Sequence, residues 1–138
     1  MEHERIIYSE THDLPSSQVI ALYKANGWSA ANKPQRLLDA LKNSHSIIST
    51  WDGETLIGLG NAISDGHLVV YYPHLLVLPQ YQGCGIGQEI MRLLLAKYEG
   101  FHMHMLTADA HSIGFYEKCG FERAGQTEPM WIYSGQEH

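Results

Sequence analysis

Apolar and polar positions along the chain change period several times, and each change marks an element. Residues 5–8 read as a short strand. Val19, Ile20, Leu22 and Tyr23 then fall at helical spacing, with Pro15 near the helix start and Gly27 at its end. Pro34 opens a second helix whose Leu37, Leu38 and Leu41 share a face. Residues 46–50 and 55–62 read as strands joined at Asp52-Gly53, a hairpin signal. A second turn, Asp65-Gly66, leads into residues 68–78, the most apolar strand candidate. Pro73 interrupts that run, which predicts a bulge or break in the ladder. Ile90, Met91, Leu94, Leu95 and Tyr98 return to helical spacing up to Gly100. Residues 101–107 form another strand, 110–118 a short helix ending at Gly120, and 121–124 and 130–133 two final strands. The order is one strand, two helices, three strands, then βα units. That order describes a mixed α/β fold around one twisted sheet.

Composition narrows the class. The 138 residues are 44% hydrophobic and 17% charged, which suits one globular domain over residues 1–138. A formal charge of -6 gives no global attraction for nucleic acid. No apolar run reaches the roughly 18–20 residues of a membrane span. The start, MEHERIIYSE, lacks the apolar centre of a signal peptide. Cys84 and Cys119 are too few for a disulfide framework and suit a reducing compartment. A cytoplasmic protein with no nucleic-acid or membrane partner is expected.

The stretch LLVLPQYQGCGIG, residues 75–87, carries the chemistry. An apolar strand stops at Pro79, three glycines follow at alternate positions, and an amphipathic helix begins. First-turn N–H groups of a helix lack partners and the dipole is positive there, so phosphate is the natural ligand. Glycines let those amides face an anion unobstructed. Walker A needs a Lys-Ser/Thr pair after its last glycine, where this chain has Gln88-Glu89. The dinucleotide fingerprint needs Gly-x-Gly-x-x-Gly early in a βαβ unit, where this chain has Gly-x-Gly-x-Gly midway along.

The loop Gln82-Gly83-Cys84-Gly85-Ile86-Gly87 resembles the pyrophosphate loop of the GCN5-related N-acetyltransferases, which reads Gln/Arg-x-x-Gly-x-Gly/Ala. Val77-Leu78-Pro79 is similar to the Val-x-Pro ending of the family's preceding strand. Phe115-Tyr116-Glu117-Lys118-Cys119-Gly120-Phe121 resembles its later Phe-Tyr-x-Lys-x-Gly-Phe signature. The resemblance covers about residues 46–133, with the N-terminal helices agreeing in order. It implies a central twisted, mostly antiparallel sheet splayed at the cofactor-binding strand and flanked by helices.

The resemblance further implies acetyl-CoA as cofactor and acetyl transfer to a primary amine. Leu75, Leu76 and Val77 would line the pantetheine arm through their backbone, one N–H polarising the thioester carbonyl. Gln82, Gly83, Cys84, Gly85, Ile86, Gly87 and Gln88 would hold the pyrophosphate. Asp109 stands where many members have an asparagine contacting pantetheine, and a carboxylate cannot donate as an amide does. Tyr116 matches the general acid that protonates the departing thiolate. His104, on the strand where some relatives carry a carboxylate, and His74, beside the proposed splay, are candidate bases with reference pKa near 6.5. His102 and His104 make a His-x-His pair that no cysteine or carboxylate pattern completes, so no metal is expected.

Acceptor groups in the family come from the loop between the first helices and from the last strands, which selects Trp28, Tyr71, Tyr72 and Trp131. A small-molecule amine is the favoured acceptor, with a protein N-terminus or lysine next. A non-catalytic acyl-CoA sensor and a nucleotide-binding protein are the competing classes. Relatives are often dimers, and an exposed final strand offers a surface for a homodimer.

Overall fold

Two apolar stretches that alternate between the two faces of one sheet build the centre of the molecule. The computed structural model describes residues 5–135. Strands β2 (Ser46–Asp52) and β3 (Thr55–Ser64) form an antiparallel hairpin, and β1 (Ile6–Ser9) extends it antiparallel to β2. The predicted strand 68–78 is split into β4 (Val69–Tyr71) and β5 (Leu75–Val77). Both pair antiparallel with β3: Ile63 opposite Tyr71, and Gly60 opposite Leu75. The register slips by one residue between the two, so Tyr72-Pro73-His74 is a bulge. Proline cannot donate to a ladder, which is why the slip falls there. Strand β6 (Met103–Met105) runs parallel to β4 and completes a mostly antiparallel sheet of six strands.

Both faces are covered at the centre, so β2, β3 and β5 read as nearly continuous apolar runs. Helices α1 (Ser16–Ala25) and α2 (Pro34–Lys42) bury Val19, Leu22, Tyr23, Leu37 and Leu41 against Ile47, Leu56, Leu59 and Leu76. Helix α3 (Ile86–Lys97) buries Ile90, Met91 and Leu94 against Ile48, Ile57 and Val77 on the other face. Each such side chain contributes about 1.5–3 kcal/mol by leaving water. A Cβ built on Gly60 would stand 2.6 Å from Ile90 Cγ2, so β3 needs glycine there to admit α3. After β6, a single 3-10 turn at Ala110–Ser112 leads into the short helix α4 (Ile113–Lys118).

The β4–β6 ladder stops at the bond from Tyr72 N–H to Met105 C=O, 2.9 Å. Past the bulge, no strand lies on the outer edge of β5 among the described residues. That is the splay expected above. Two expectations need correction: residues 121–124 and 130–133 are in no strand. A strand exists only where a neighbour takes its backbone groups, and neither segment joins the sheet. Among the described residues no helix is long and apolar enough to cross a membrane.

Candidate active site

The open edge of β5 leads straight into the glycine loop. Leu78 N–H donates to Ile57 C=O (2.8 Å) and Asn61 N–H to His74 C=O (3.2 Å), so even-numbered residues of β5 face β3. By antiparallel alternation Leu76 is spent on the sheet, and Leu75 and Val77 turn their backbone groups to the open edge. The Val77 carbonyl already accepts from Asn26 Nδ2 (3.1 Å) and Gln82 Nε2 (3.0 Å). Gln82 therefore braces the strand end with its side chain, and Asn26, absent from the sequence reading, shares the task. Its only signal was an amide residue just after a helix.

The three glycines serve two purposes. Gly83 (φ +80°) and Gly85 (φ +84°) adopt left-handed backbone, and a Cβ on either meets nothing within 4 Å. The loop is thus shaped for glycine and open in front. Gly87 sits where a Cβ would lie 3.4 Å from Phe115 Cζ, so it lets α3 and α4 approach. Gly85 is the N-cap of α3 and its carbonyl accepts from Glu89 N–H at 3.1 Å. Ile86, Gly87 and Gln88 offer first-turn N–H groups that no described backbone carbonyl takes. The Ile86 side chain is buried in the core, so its share in the loop is its amide. An anion fits this turn on the geometry of the chain itself.

Beside the loop, a cavity of about 400 Å³ is lined by Gly85, Gln88, Glu89, Arg92, Leu95, Lys118 and Cys119. Arg92 is paired with Glu89 at 2.6 Å, which lowers the carboxyl's pKa through that hydrogen bond. Burial raises the Cys119 thiol, which therefore stays protonated. Cys84 is half-buried in the loop.

A larger cleft, about 670 Å³, opens at the splay. The bulge supplies Tyr71, Tyr72, Pro73 and His74, and Leu75 begins β5 there; Trp28 and Lys33 come from the α1–α2 connection. Asp109 and Tyr116 come from the α4 region, and Trp131 and Tyr133 from the C-terminal segment. The structure thus brings together Trp28, Tyr71, Tyr72, His74, Leu75, Asp109, Tyr116 and Trp131 from positions far apart in sequence. Lys33, Thr107, Ser112, Tyr133 and Ser134 also line it and carried no sequence signal. His104 is not among the lining residues. Its Nδ1 lies 2.8 Å from Tyr72 Oη, the rings stack at 9°, and burial lowers its pKa.

Tyr116 packs edge-on against Phe115 and Phe121 while reaching the cleft. Its pKa is pushed up to about 12, chiefly by burial and then by Cys119 and Asp109. At neutral pH it is a phenol with a proton to give. His74 Nδ1 lies 2.7 Å from the hydroxyl of the buried Tyr23, and Trp28 meets the imidazole edge-on at 5.1 Å.

The arrangement combines an open glycine turn at a helix start, a strand edge that no neighbouring strand covers among the described residues, and a cleft that holds the phenol of Tyr116. The family model described as Acetyltransferase (GNAT) family matches residues 17–121. A GNAT-family acetyltransferase structure from Streptococcus pneumoniae is 30% identical, with TM-score 0.81, covering 93% of this chain and 98% of that one. An uncharacterized ycf52-like N-acetyltransferase of Prochlorococcus marinus is 29% identical over 91% of this chain and 73% of its own length. A protein of Glycine max named histone acetyltransferase TAP1 is 34% identical over 86% of this chain. The match spans 57% of that soybean protein, little more than half of it. Since the family match embraces all but the first residue of α1, strands β2 to β6, the glycine loop and α4 together, the chain belongs to the GNAT acetyltransferase family.

Proposed function

We propose that the chain transfers acetyl from acetyl-CoA to the primary amine of a small molecule, with Tyr116 as general acid. The observation that carries this reading is the continuity of three features: the edge at Leu75 and Val77 that no strand covers among the described residues, the open Gly83–Gly85 turn, and Tyr116 in the cleft. Acetyl-CoA would supply an activated acyl thioester. Its diphosphate fits the loop amides of Gly83 to Gln88, and its pantetheine arm fits the outward N–H groups of Leu75 and Val77. Those N–H groups are fixed dipoles that stabilise charge developing on a carbonyl oxygen without reorganising. Tyr116 holds its proton until a thiolate leaves, and Asp109 beside it favours the protonated phenol.

On the acceptor side, Trp28, Tyr71, Tyr72 and Trp131 supply aromatic walls. Among the described residues His74 lies within the lining and His104 outside it, which supports His74 rather than His104 as a histidine that contacts an acceptor. Among the described residues Asp109 and Lys33 are the charged ones in the lining, beside four aromatic walls, which supports a bounded aromatic pocket. That favours a small amine. The name of the soybean relative supports a second reading, a protein lysine or N-terminus as acceptor.

The deciding experiment measures thiol release from acetyl-CoA with a panel of small amines and amine-bearing peptides. Turnover with a small amine and none with peptides supports the proposal. Turnover with peptides alone supports the second reading. Tight coenzyme A binding with no turnover for any amine identifies an acyl-CoA sensor instead.

A further inference from the structure

One residue in the lining of the large cleft stands against local preference. Lys33 is the N-cap of α2, where its carbonyl accepts from Leu37 N–H at 2.9 Å. A helix start favours serine, threonine, aspartate or asparagine at that position, and its positive dipole end makes a cation unfavourable there. The cap makes no side-chain hydrogen bond, and the first turn of α2 holds no acidic residue. Arg36 adds a second cation to that turn. Departures from local preference are expected where a residue serves a site.

The backbone holds Lys33 in place from both sides. Its N–H donates to Ala30 C=O at 3.0 Å, and Pro34 follows it and narrows its conformations. The side chain is thus rooted in the wall that also carries Trp28. Its Nζ donates to Ser134 Oγ at 3.1 Å, on the C-terminal segment that brings Trp131 and Tyr133 to the cleft. Among the described residues Lys33 forms no ion pair. Its charge is therefore balanced by a neutral hydroxyl alone. The ammonium has two further donors, and Ser134, having accepted one bond, keeps its O–H to give. Two donors side by side match the two oxygens of one carboxylate. The other charged lining residue, Asp109, comes with Tyr116 from the α4 region and acts on that phenol electrostatically.

We propose that the acceptor carries a carboxylate at the end remote from its amine, and that Lys33 and Ser134 hold this carboxylate while the amine is presented at Tyr116. The body between the two ends is flat and apolar, because the walls that would contact it are aromatic: Trp28, Tyr71, Tyr72 and Trp131. Lys33 is then the residue that selects acidic amines over neutral ones of the same shape. A carboxylate at this place also supplies the negative charge that the start of α2 lacks. A single ammonium beside a single hydroxyl suits two oxygens, whereas a phosphate brings a third. This assignment deepens the reading of the cleft as an acceptor site and rests on it.

Calorimetric titration with para-(aminomethyl)benzoate and with para-(aminomethyl)benzamide compares two flat amines of one shape that differ in charge at the far end. The acid should bind the wild-type chain about tenfold more tightly than the amide. High salt should narrow that gap, since a pair open to solvent is screened, and this arm needs no variant. Lys33→Met should abolish the gap and Lys33→Arg should keep it, each with an unchanged far-UV spectrum. Equal affinities in the wild type overturn the proposal, as does binding of neither probe. A gap that survives Lys33→Met overturns it as well. Thiol release from acetyl-CoA with the same two probes is read separately. An affinity gap without acetylation of either probe counts against the proposed activity and leaves the carboxylate site in place.

Discussion

Tyr23 Oη lies 2.7 Å from His74 Nδ1, and the tyrosine is fully buried. Burial pushes the phenol's pKa far above its ordinary value, so the hydroxyl keeps its proton. With that hydroxyl donating to Nδ1, the proton of a neutral imidazole sits on Nε2. In that arrangement the imidazole offers Nε2–H as a donor.

Tyr23→Phe should therefore release the tautomer. Nitrogen-15 spectra of His74 should show Nε2–H in the wild type and a shift toward Nδ1–H in the variant, with stability falling by about 0.5–1.5 kcal/mol for the lost bond. Identical His74 spectra in the two proteins would contradict this assignment. If the ring serves as a donor to the acceptor molecule, His74→Gln should retain turnover within about tenfold, since its amide replaces Nε2–H, while His74→Ala loses more.

Tyr116→Phe removes one oxygen and keeps the packing against Phe115 and Phe121. Turnover should fall by about 10²–10⁴-fold, the usual contribution of a positioned acid, with acetyl-CoA affinity nearly unchanged. Steady-state kinetics beside calorimetric titration separates the two quantities. Undiminished turnover would take the phenol out of the reaction.

Glycine substitutions should divide by cause. Gly60→Ala drives a methyl to 2.6 Å from Ile90 and should cost about 1–3 kcal/mol in urea unfolding, whatever ligand is present. Gly85→Glu puts a charged side chain on a left-handed residue at the mouth of the anion turn. Coenzyme A binding should be lost there. Full affinity in that variant would place the diphosphate elsewhere.

Alkaline conditions should weaken the fold. An unfolded tyrosine ionises near about 10. Burial raises Tyr23 and Tyr72, and raises Tyr116 to about 12. A raised folded pKa contributes stability that is complete below the unfolded value and is lost as pH climbs through the folded one. Urea midpoints should hold up to about pH 10 and then decline toward about 12, less steeply in Tyr116→Phe. A midpoint flat across that window would contradict the burial of these phenols.

By itself the sequence determined what local chemistry controls. Helical spacing located α1, α2 and the body of α3, and the glycines announced a turn with unobstructed amides at a helix start. Those features depend on neighbours a few residues away, so one chain suffices to read them. Only the tertiary structure decided which histidine enters the cleft. The one-residue slip at Pro73 reverses side-chain parity: Val70 and Tyr72 join the α3 side, whereas His74 and Leu76 join the α1 side. No periodicity within residues 68–78 states where that reversal falls. The bracing of Val77 by Asn26 and the holding of His74 by Tyr23 each join residues 51 apart. Residues 130–133 have strand-forming side chains, yet stand outside the sheet, because a strand is defined by the partner that takes its backbone hydrogen bonds.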